Sequence, residues 1–441
     1  MKTFKKEFKQ TIYDILEYTD YDKFIAINGI EREIDKLNTI EFNIEDFYKF
    51  TRGSEELQRM FRIAYNNSLI KTDNLTYQAM EAFVHNLNSI CNARSTTVNL
   101  GTDTTKEARM ITSNLFRTIK EGIGENKKAT FPTIVFKIKD GTNYNEKDRN
   151  YDLLIKACEL VSKTENISFS FLNSQYNAQY YKEGDFNTEV AYFDDGTRII
   201  DNYADPDKKI SSGRGVLSST TINLPRIALK HEKNANDFFE ELEQKMDTVK
   251  DQLLERLEIQ SNKKVYNFPF LMKQNVWMDS EKLKNEDKVK KVLKNGILRM
   301  SFVGLNECLK ALETNELGIK IIAKMREKTN EYSKKYNLTF ELSGDYNEKT
   351  AQDFLEFDRA IFGKIKGVTD KEKYSCGFDI ESTCIEKKIE KEAPFHEYTN
   401  GGHVITIKIE KEATEKITIK VMKIINSLYK NEIGYAKISI L

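Results

Sequence analysis

From about residue 131 to the end of this chain, short runs of β-branched and aromatic residues alternate with longer stretches whose apolar residues recur every three or four positions. Residues 131–139, 167–171, 220–223, 297–303, 338–342, 374–380, 403–409 and 436–440 read as strands. Residues 151–162 and 236–259 between them read as helices. In the second, Phe239, Leu242, Met246, Val249, Leu253 and Leu257 make one apolar face. Such alternation predicts an α/β fold with a mostly parallel sheet, open or closed, because parallel neighbours need a crossover between them. No linker divides the chain, so one dominant domain is expected.

The first part reads as helical. Phe4, Phe8, Ile12 and Ile15, with Leu16 beside them, give residues 1–46 an amphipathic helical start. Residues 55–90 show two stripes, Leu57/Met60/Phe61/Ala64 and Ala79/Phe83/Leu87, with Thr72 or Asp73 available to cap a second helix. After a strand-like run from Cys91 to Leu100, residues 105–123 are helical again, and Thr102, Asp103 or Thr104 can cap them. The Glu/Lys run 386–392 reads as a solvated segment.

Composition excludes several functions. Lys plus Arg number 69 and Asp plus Glu 69, so no net charge draws a polyanion, and direct nucleic-acid binding is not expected. No run of 18 apolar residues marks a membrane span. The five cysteines (91, 158, 308, 376, 384) form no Cys-x-x-Cys pair, which fits a reducing cytoplasm rather than a disulfide framework or zinc ribbon. The four histidines (85, 231, 396, 403) show no metal-ligand spacing, so no metal site is expected, and Cys91 reads as a small buried residue.

Several short motifs carry chemistry only weakly when taken singly. Asn99-Leu100-Gly101-Thr102-Asp103-Thr104 sits between a strand and a helix, where backbone N–H groups can meet a phosphate or simply be capped. Gly213-Arg214-Gly215 leads into the strand Thr220–Asn223, which ends at Leu224-Pro225-Arg226. Asn400-Gly401-Gly402-His403 opens a strand, where paired glycines allow a close backbone approach or a turn. Glu348 follows Asn347 in the loop after a strand, the end of a strand where catalytic groups gather in barrels.

Taken together and in order, these pieces resemble the class III, anaerobic ribonucleoside-triphosphate reductases. The matching blocks are FYKFTRGSEELQRMFRIAYNN (47–67), STTVNLGTDTTKEARM (95–110), GIGENKKATFPTIVFKIKDGTNYN (122–145), the GRG…TTINLPRIAL block, KNGILRMSFVGLNECLKAL (294–312), GVTDKEKYSCGF (367–378) and EAPFHEYTNGGH (392–403). The resemblance implies a ten-stranded α/β barrel over residues 47–441, incomplete here, after the helical segment 1–46. It implies reduction of a nucleoside triphosphate at the ribose 2′ carbon by a thiyl radical on a finger loop. It further implies a glycyl radical and zinc in a C-terminal domain, and a separate iron–sulfur activase that uses S-adenosylmethionine. In this sequence the radical cysteine's place falls at Asp195, and no cysteine lies between Cys158 and Cys308. The zinc and glycyl-radical domain would lie beyond residue 441, so the chain is expected to hold no cofactor alone. Asn223 matches the substrate-orienting asparagine and Glu348 the active-site glutamate. Thr102, Asp103, Asn400, Gly401 and Gly402 match motifs of the barrel interior or rim. The resulting expectation is a reductase-family chain inactive alone. Alternatives are one half of a split reductase or a nucleotide-binding regulatory partner, with a homodimer, an intact reductase and the activase as partners.

Overall fold

The four-residue spacing of Phe4, Phe8, Ile12 and Leu16 puts all four on one side of helix α1 (Lys2–Glu17), where each is buried. They pack with Phe47, Phe61 and Ala64 into the core of the first of two compact units. The structure, a computed structural model, describes residues 1–17, 23–89, 96–124, 127–231, 234–314, 316–377 and 384–441. The first unit holds Met1–Ile167 with Ala413–Thr418, and the second Ser168–Glu412 with Ile419–Leu441.

In the first unit α1 is followed by α2 (Lys23–Lys36), α3 (Glu55–Ser89), β1 (Thr97–Leu100), α4 (Lys106–Glu121), β2 (Thr133–Ile138) and α5 (Tyr151–Leu160). Strands β1 and β2 pair in parallel, Asn99 opposite Val135. The expected break near Thr72 is absent, and α3 is one helix of 35 residues. No Gly or Pro interrupts it, and the Thr72 hydroxyl donates back to the Ser68 carbonyl rather than capping a new start. The expected strand from Cys91 shortens to β1, and Cys91 itself lies outside the described residues.

The second unit runs β3 (Ile167–Phe171, its first residue counted with the other unit), α6 (Gln175–Ala178), β4 (Val216–Asn223), α7 (Leu224–Lys230), α8 (Ala235–Ser261), α9 (Pro269–Lys273), α10 (Lys290–Leu293) and β5 (Ile297–Val303). It continues with α11 (Leu305–Ala311), α12 (Gly318–Tyr336), β6 (Thr339–Gly344), α13 (Glu348–Phe362), α14 (Ile385–Glu392), β7 (Ile405–Ile409), α15 (Thr414–Lys430, its residues to Thr418 counted with the other unit) and β8 (Tyr435–Ile440). Strands β4, β5 and β6 form a parallel sheet. Strand β8 pairs antiparallel with β3 and parallel with β7. The α/β class with parallel strands is as expected. The described residues contain eight strands rather than ten and show no closed barrel.

Three local expectations fail for physical reasons. On α8 the buried residue is Phe238, with Phe239 only partly covered, because Phe238 continues the register of Leu242, Met246, Val249 and Leu253. The Glu/Lys run is helix α14, whose Ile389 and Glu392 are buried. Residues 374–377 hold only a single bridge, Val303 to Cys376, and residues 378–380 lie outside the described residues. Among the described residues, no helix is long and apolar enough to cross a membrane.

Candidate functional site

Strands buried in parallel sheets are usually apolar on both faces. The sheet β4–β5–β6 is not. One face carries Ile222, Leu298, Met300, Phe302, Phe340 and Leu342 into the core with residues of α7, α8, α11 and α12. The other carries Ser219 and Thr221, then Arg299 and Ser301, then Glu341 and Ser343, in register across the three strands. Hydroxyls meet along it: Ser219 and Ser301 lie 3.4 Å apart, Ser301 and Ser343 3.1 Å. On β5 and β6 this polar face is buried, while on β4 Ser219 is exposed and Thr221 half-buried, and its hydroxyls can both donate and accept.

At the C-terminal rim of this sheet, Asn223 closes β4 and caps α7, accepting from Arg226 N at 3.1 Å. Pro225 fits the first turn because its missing N–H has no partner there in any case. The Asn223 amide donates to Asp358 at 2.8 Å. Asp358 is fully buried and also accepts from Arg226 (2.5 Å) and from the Tyr374 hydroxyl (2.9 Å). Asn223 is therefore held rigidly by its own cap and by Asp358. Thr221 donates to Asp345 at 2.6 Å. Glu348 starts α13 rather than lying in a loop, because Asn347 caps that helix. Its side chain is exposed and pairs with Lys373, whose ammonium holds the carboxyl below its usual range.

Asp195 sits at the tip of a tight hairpin in which Phe193 N donates to the Thr197 carbonyl at 2.8 Å. Its carboxylate accepts from Thr197 N (2.9 Å) and the Thr197 hydroxyl (2.6 Å), an Asx-type turn. Behind the tip, the hairpin rests on Asn400, Gly401 and Gly402. Arg198 N donates to the Gly401 carbonyl at 2.9 Å, and a Cβ on Gly402 would stand 2.3 Å from the Gly196 carbonyl oxygen. On its other side this segment grips β6: Leu342 N donates to the Asn400 side chain (3.0 Å), and Gly401 N donates to the Leu342 carbonyl (2.9 Å). Gly402 thus permits close approach by the chain's own hairpin, and Gly401 close approach to β6. The structure brings Asp195, Asn400, Gly401 and Gly402 together.

Thr102 and Asp103 lie in the first unit. Gly101 there has φ +123°, and a Cβ on it would meet the Lys137 carbonyl oxygen at 2.8 Å. Asn143 and Asn150 both donate to the Gly101 carbonyl, at 3.0 and 2.9 Å. The cap of α4 is Thr105, which accepts from Ala108 N; none of residues 102–104 has that role. Asp103 instead accepts from Thr105 N at 2.8 Å, shaping the turn one residue ahead of the cap.

Sequence reasoning missed the buried charged and polar side chains. Arg214, read as part of a weak glycine loop, is buried and donates to the carbonyls of Asn295, Ile200, Ile210 and Asp201. Arg299 and Glu341 form a buried ion pair at 3.1 Å, and burial pushes the Glu341 carboxyl up to about 7. His396 and His403 are buried with ring centroids 4.3 Å apart, and burial holds His396 neutral well below its usual titration range. The period-two alternation of β5 and β6 was the available signal for Arg299 and Glu341. His396 and His403 gave none.

The described residues do not fit a zinc centre. Among the described residues, no three His, Cys, Asp or Glu side chains could hold a metal ion together. Cys158 and Cys308 are buried thiols that burial pushes up in pKa, which suits packing rather than thiolate chemistry.

A family model described as anaerobic ribonucleoside-triphosphate reductase matches residues 10–440. The reductase of that name from Salmonella typhimurium is 28% identical over 388 residues, which are 82% of this chain and 52% of the relative. The chain spans about half the length of the curated relatives it matches. A solved anaerobic ribonucleotide reductase aligns with TM-score 0.60 at 14% identity, over 99% of this chain and 77% of its own. The Thermotoga maritima enzyme in complex with dATP and CTP aligns with TM-score 0.56 at 14% identity, covering 99% and 80%. At such identities the structural likeness speaks for the fold, and the family match speaks for descent. This chain belongs to the anaerobic ribonucleoside-triphosphate reductase family.

Proposed function

We propose that this chain is a nucleotide-binding member of the reductase family that does not itself start radical chemistry. Asp195 carries this reading. It stands where the family places its radical cysteine, its carboxylate is committed to the turn with Thr197, and no cysteine lies between Cys158 and Cys308. Reversible hydrogen abstraction needs an S–H bond weak enough to break and re-form, and a carboxylate offers no such bond.

The ligands of this reading are nucleoside triphosphates, in keeping with the dATP and CTP of the Thermotoga maritima complex. Asn223 would face the ribose once its contact with Asp358 exchanges for substrate, with Glu348 at the same rim and Asn400, Gly401 and Gly402 supporting the hairpin. A glycyl radical, zinc, and the iron–sulfur and S-adenosylmethionine chemistry of an activase would lie outside residues 1–441. A second copy of this chain or an intact reductase would be its partner, in a reducing cytoplasm.

Calorimetric titration with ribo- and deoxyribonucleoside triphosphates, each with magnesium, tests the binding half. Micromolar dissociation constants, about −8 kcal/mol, are expected. Anaerobic turnover with an activase tests the other half. Deoxynucleotide formation by the chain alone with the activase would overturn the reading, and folded protein that binds neither nucleotide class would overturn it equally.

A further inference from the structure

The N-terminal end of the sheet β4–β5–β6 holds a cluster of cations that the reading above does not use. The chain from Arg198 to Tyr203 passes the starts of all three strands. Its carbonyls at Arg198, Ile200 and Asp201 accept from Arg299, Arg214 and Arg214, and Tyr203 N donates to Thr339, the first residue of β6. Arg198, Arg214 and Arg299 are buried, and Arg326 and Lys209 approach Asp201, each at 3.9 Å.

Charge does not balance here. Arg198 is satisfied by neutral acceptors, the Tyr176 and Asn400 carbonyls and the Asn177 side chain, and stacks on the Tyr176 ring at 3.5 Å. Arg214 likewise donates to carbonyls alone. Among the described residues, the carboxylates in contact with the cluster are Glu341, on Arg299, and Asp201. Asp201 is already approached by Arg326, Lys209, the Tyr180 hydroxyl (3.3 Å) and the Asn400 amide (3.4 Å). Four guanidinium groups and one ammonium thus meet two acids. Buried charge is normally paired, because desolvating an ion costs several kcal/mol.

Three buried donor atoms also have no partner, Arg299 Nε, Arg326 NH1 and Asn295 Nδ2, against one unpartnered acceptor, Glu341 Oε1. Arg299 and Asn295 are both more than nine-tenths buried. Asn295 is tied into the same cluster, since its carbonyl accepts from Arg214 and its side chain from Asn202. Excess cation, unsatisfied donors and planar guanidinium groups are the features that recognise an oxyanion.

We propose that this cluster is a phosphate-binding site. A phosphate group would take the free donors of Arg299, Arg326 and Asn295, reached from the side where Tyr180, Tyr203, Lys209 and Arg326 are partly exposed. It lies at the opposite end of the strands from Asn223 and Glu348, so it is a second site rather than part of the C-terminal rim. The phosphate belongs either to the free ion or to a nucleotide.

Thermal unfolding of the full chain distinguishes these sources. Inorganic phosphate, ATP without magnesium, and sodium chloride at matched ionic strength are compared for the wild type, Arg326→Gln and the surface control Lys324→Ala. A rise of a few degrees with phosphate over chloride, lost in Arg326→Gln and kept in Lys324→Ala, supports the site and a free ion. A rise with ATP but not phosphate, diminished only in Arg326→Gln, supports it with a nucleotide as the source. No rise with either, or rises that Arg326→Gln leaves undiminished, would overturn the proposal. Because Arg326 is partly exposed and one of its nitrogens is unpartnered, this variant is expected to fold. Binding of nucleotide at the C-terminal rim would survive Arg326→Gln, which separates failure of this site from failure of the functional reading.

Discussion

The two ends of one three-stranded sheet solve the same problem in opposite ways. At the C-terminal rim, buried acids are met by donors: Asp358 by Asn223, Arg226 and Tyr374, and Glu307 by Lys371 and Ser375. At the N-terminal end, buried cations outnumber acids, and donors are left over. The rim is a closed polar network that fixes Asn223 and the start of α7. The other end is electrostatically unfinished. A buried polar residue is thus informative mainly through what it lacks: satisfied groups rigidify a scaffold, and unsatisfied ones invite a ligand.

The sharpest way to break the rim is Asp358→Ala, which strands the Arg226 guanidinium and the Asn223 amide. A loss of about 3–5 kcal/mol is expected in urea unfolding. A loss below about 1 kcal/mol would show that the rim is not a closed network.

The N-terminal end should instead reveal itself through pH. Burial raises the Glu341 pKa from its ordinary value to about 7, so between those values the folded chain holds a proton that the unfolded chain has released. Stability attributable to Glu341 is therefore full below the ordinary carboxyl range and falls as pH rises towards 7, by roughly 3 kcal/mol at most. Unfolding curves of wild type and Glu341→Gln between pH 5 and 8 should diverge, the wild type losing more stability with rising pH. Parallel curves would refute this.

Between the two ends, Gly402→Ala tests the seat of the hairpin. Gly402 has φ +118°, and its new Cβ would meet the Gly196 carbonyl oxygen. About 2 kcal/mol of destabilisation is expected, with faster proteolysis around residues 193–198. The smallest effect belongs to Glu348→Gln. This exposed pair with Lys373 should contribute no more than about 0.5 kcal/mol. Any larger consequence should appear in nucleotide binding, read by calorimetry.

Part of this was legible beforehand. The apolar spacing of Phe4 to Leu16 and the β-branched run before Leu224-Pro225 each report on local geometry, and each matches its element. Asn223 could be singled out by its match to the family's substrate-orienting asparagine, whereas its role as the cap of α7 came from the structure. Phe238 and Phe239 could not be told apart, since adjacent positions on a helix differ by a rotation that only the neighbouring elements settle. Thr105 was passed over as cap of α4 because three other capping residues precede it.

The sequence by itself determined the α/β class, the family and the absence of a cysteine from the hairpin region, because periodicity, motif order and residue identity are local properties of the chain. Only the tertiary structure decided that Asp195 is engaged by Thr197, that Gly402 admits the chain's own hairpin, and that Arg198, Arg214, Arg299 and Arg326 gather at one end of a sheet. Those residues are up to 128 positions apart, counting from Arg198 to Arg326. Their charge balance is a property of the space they share.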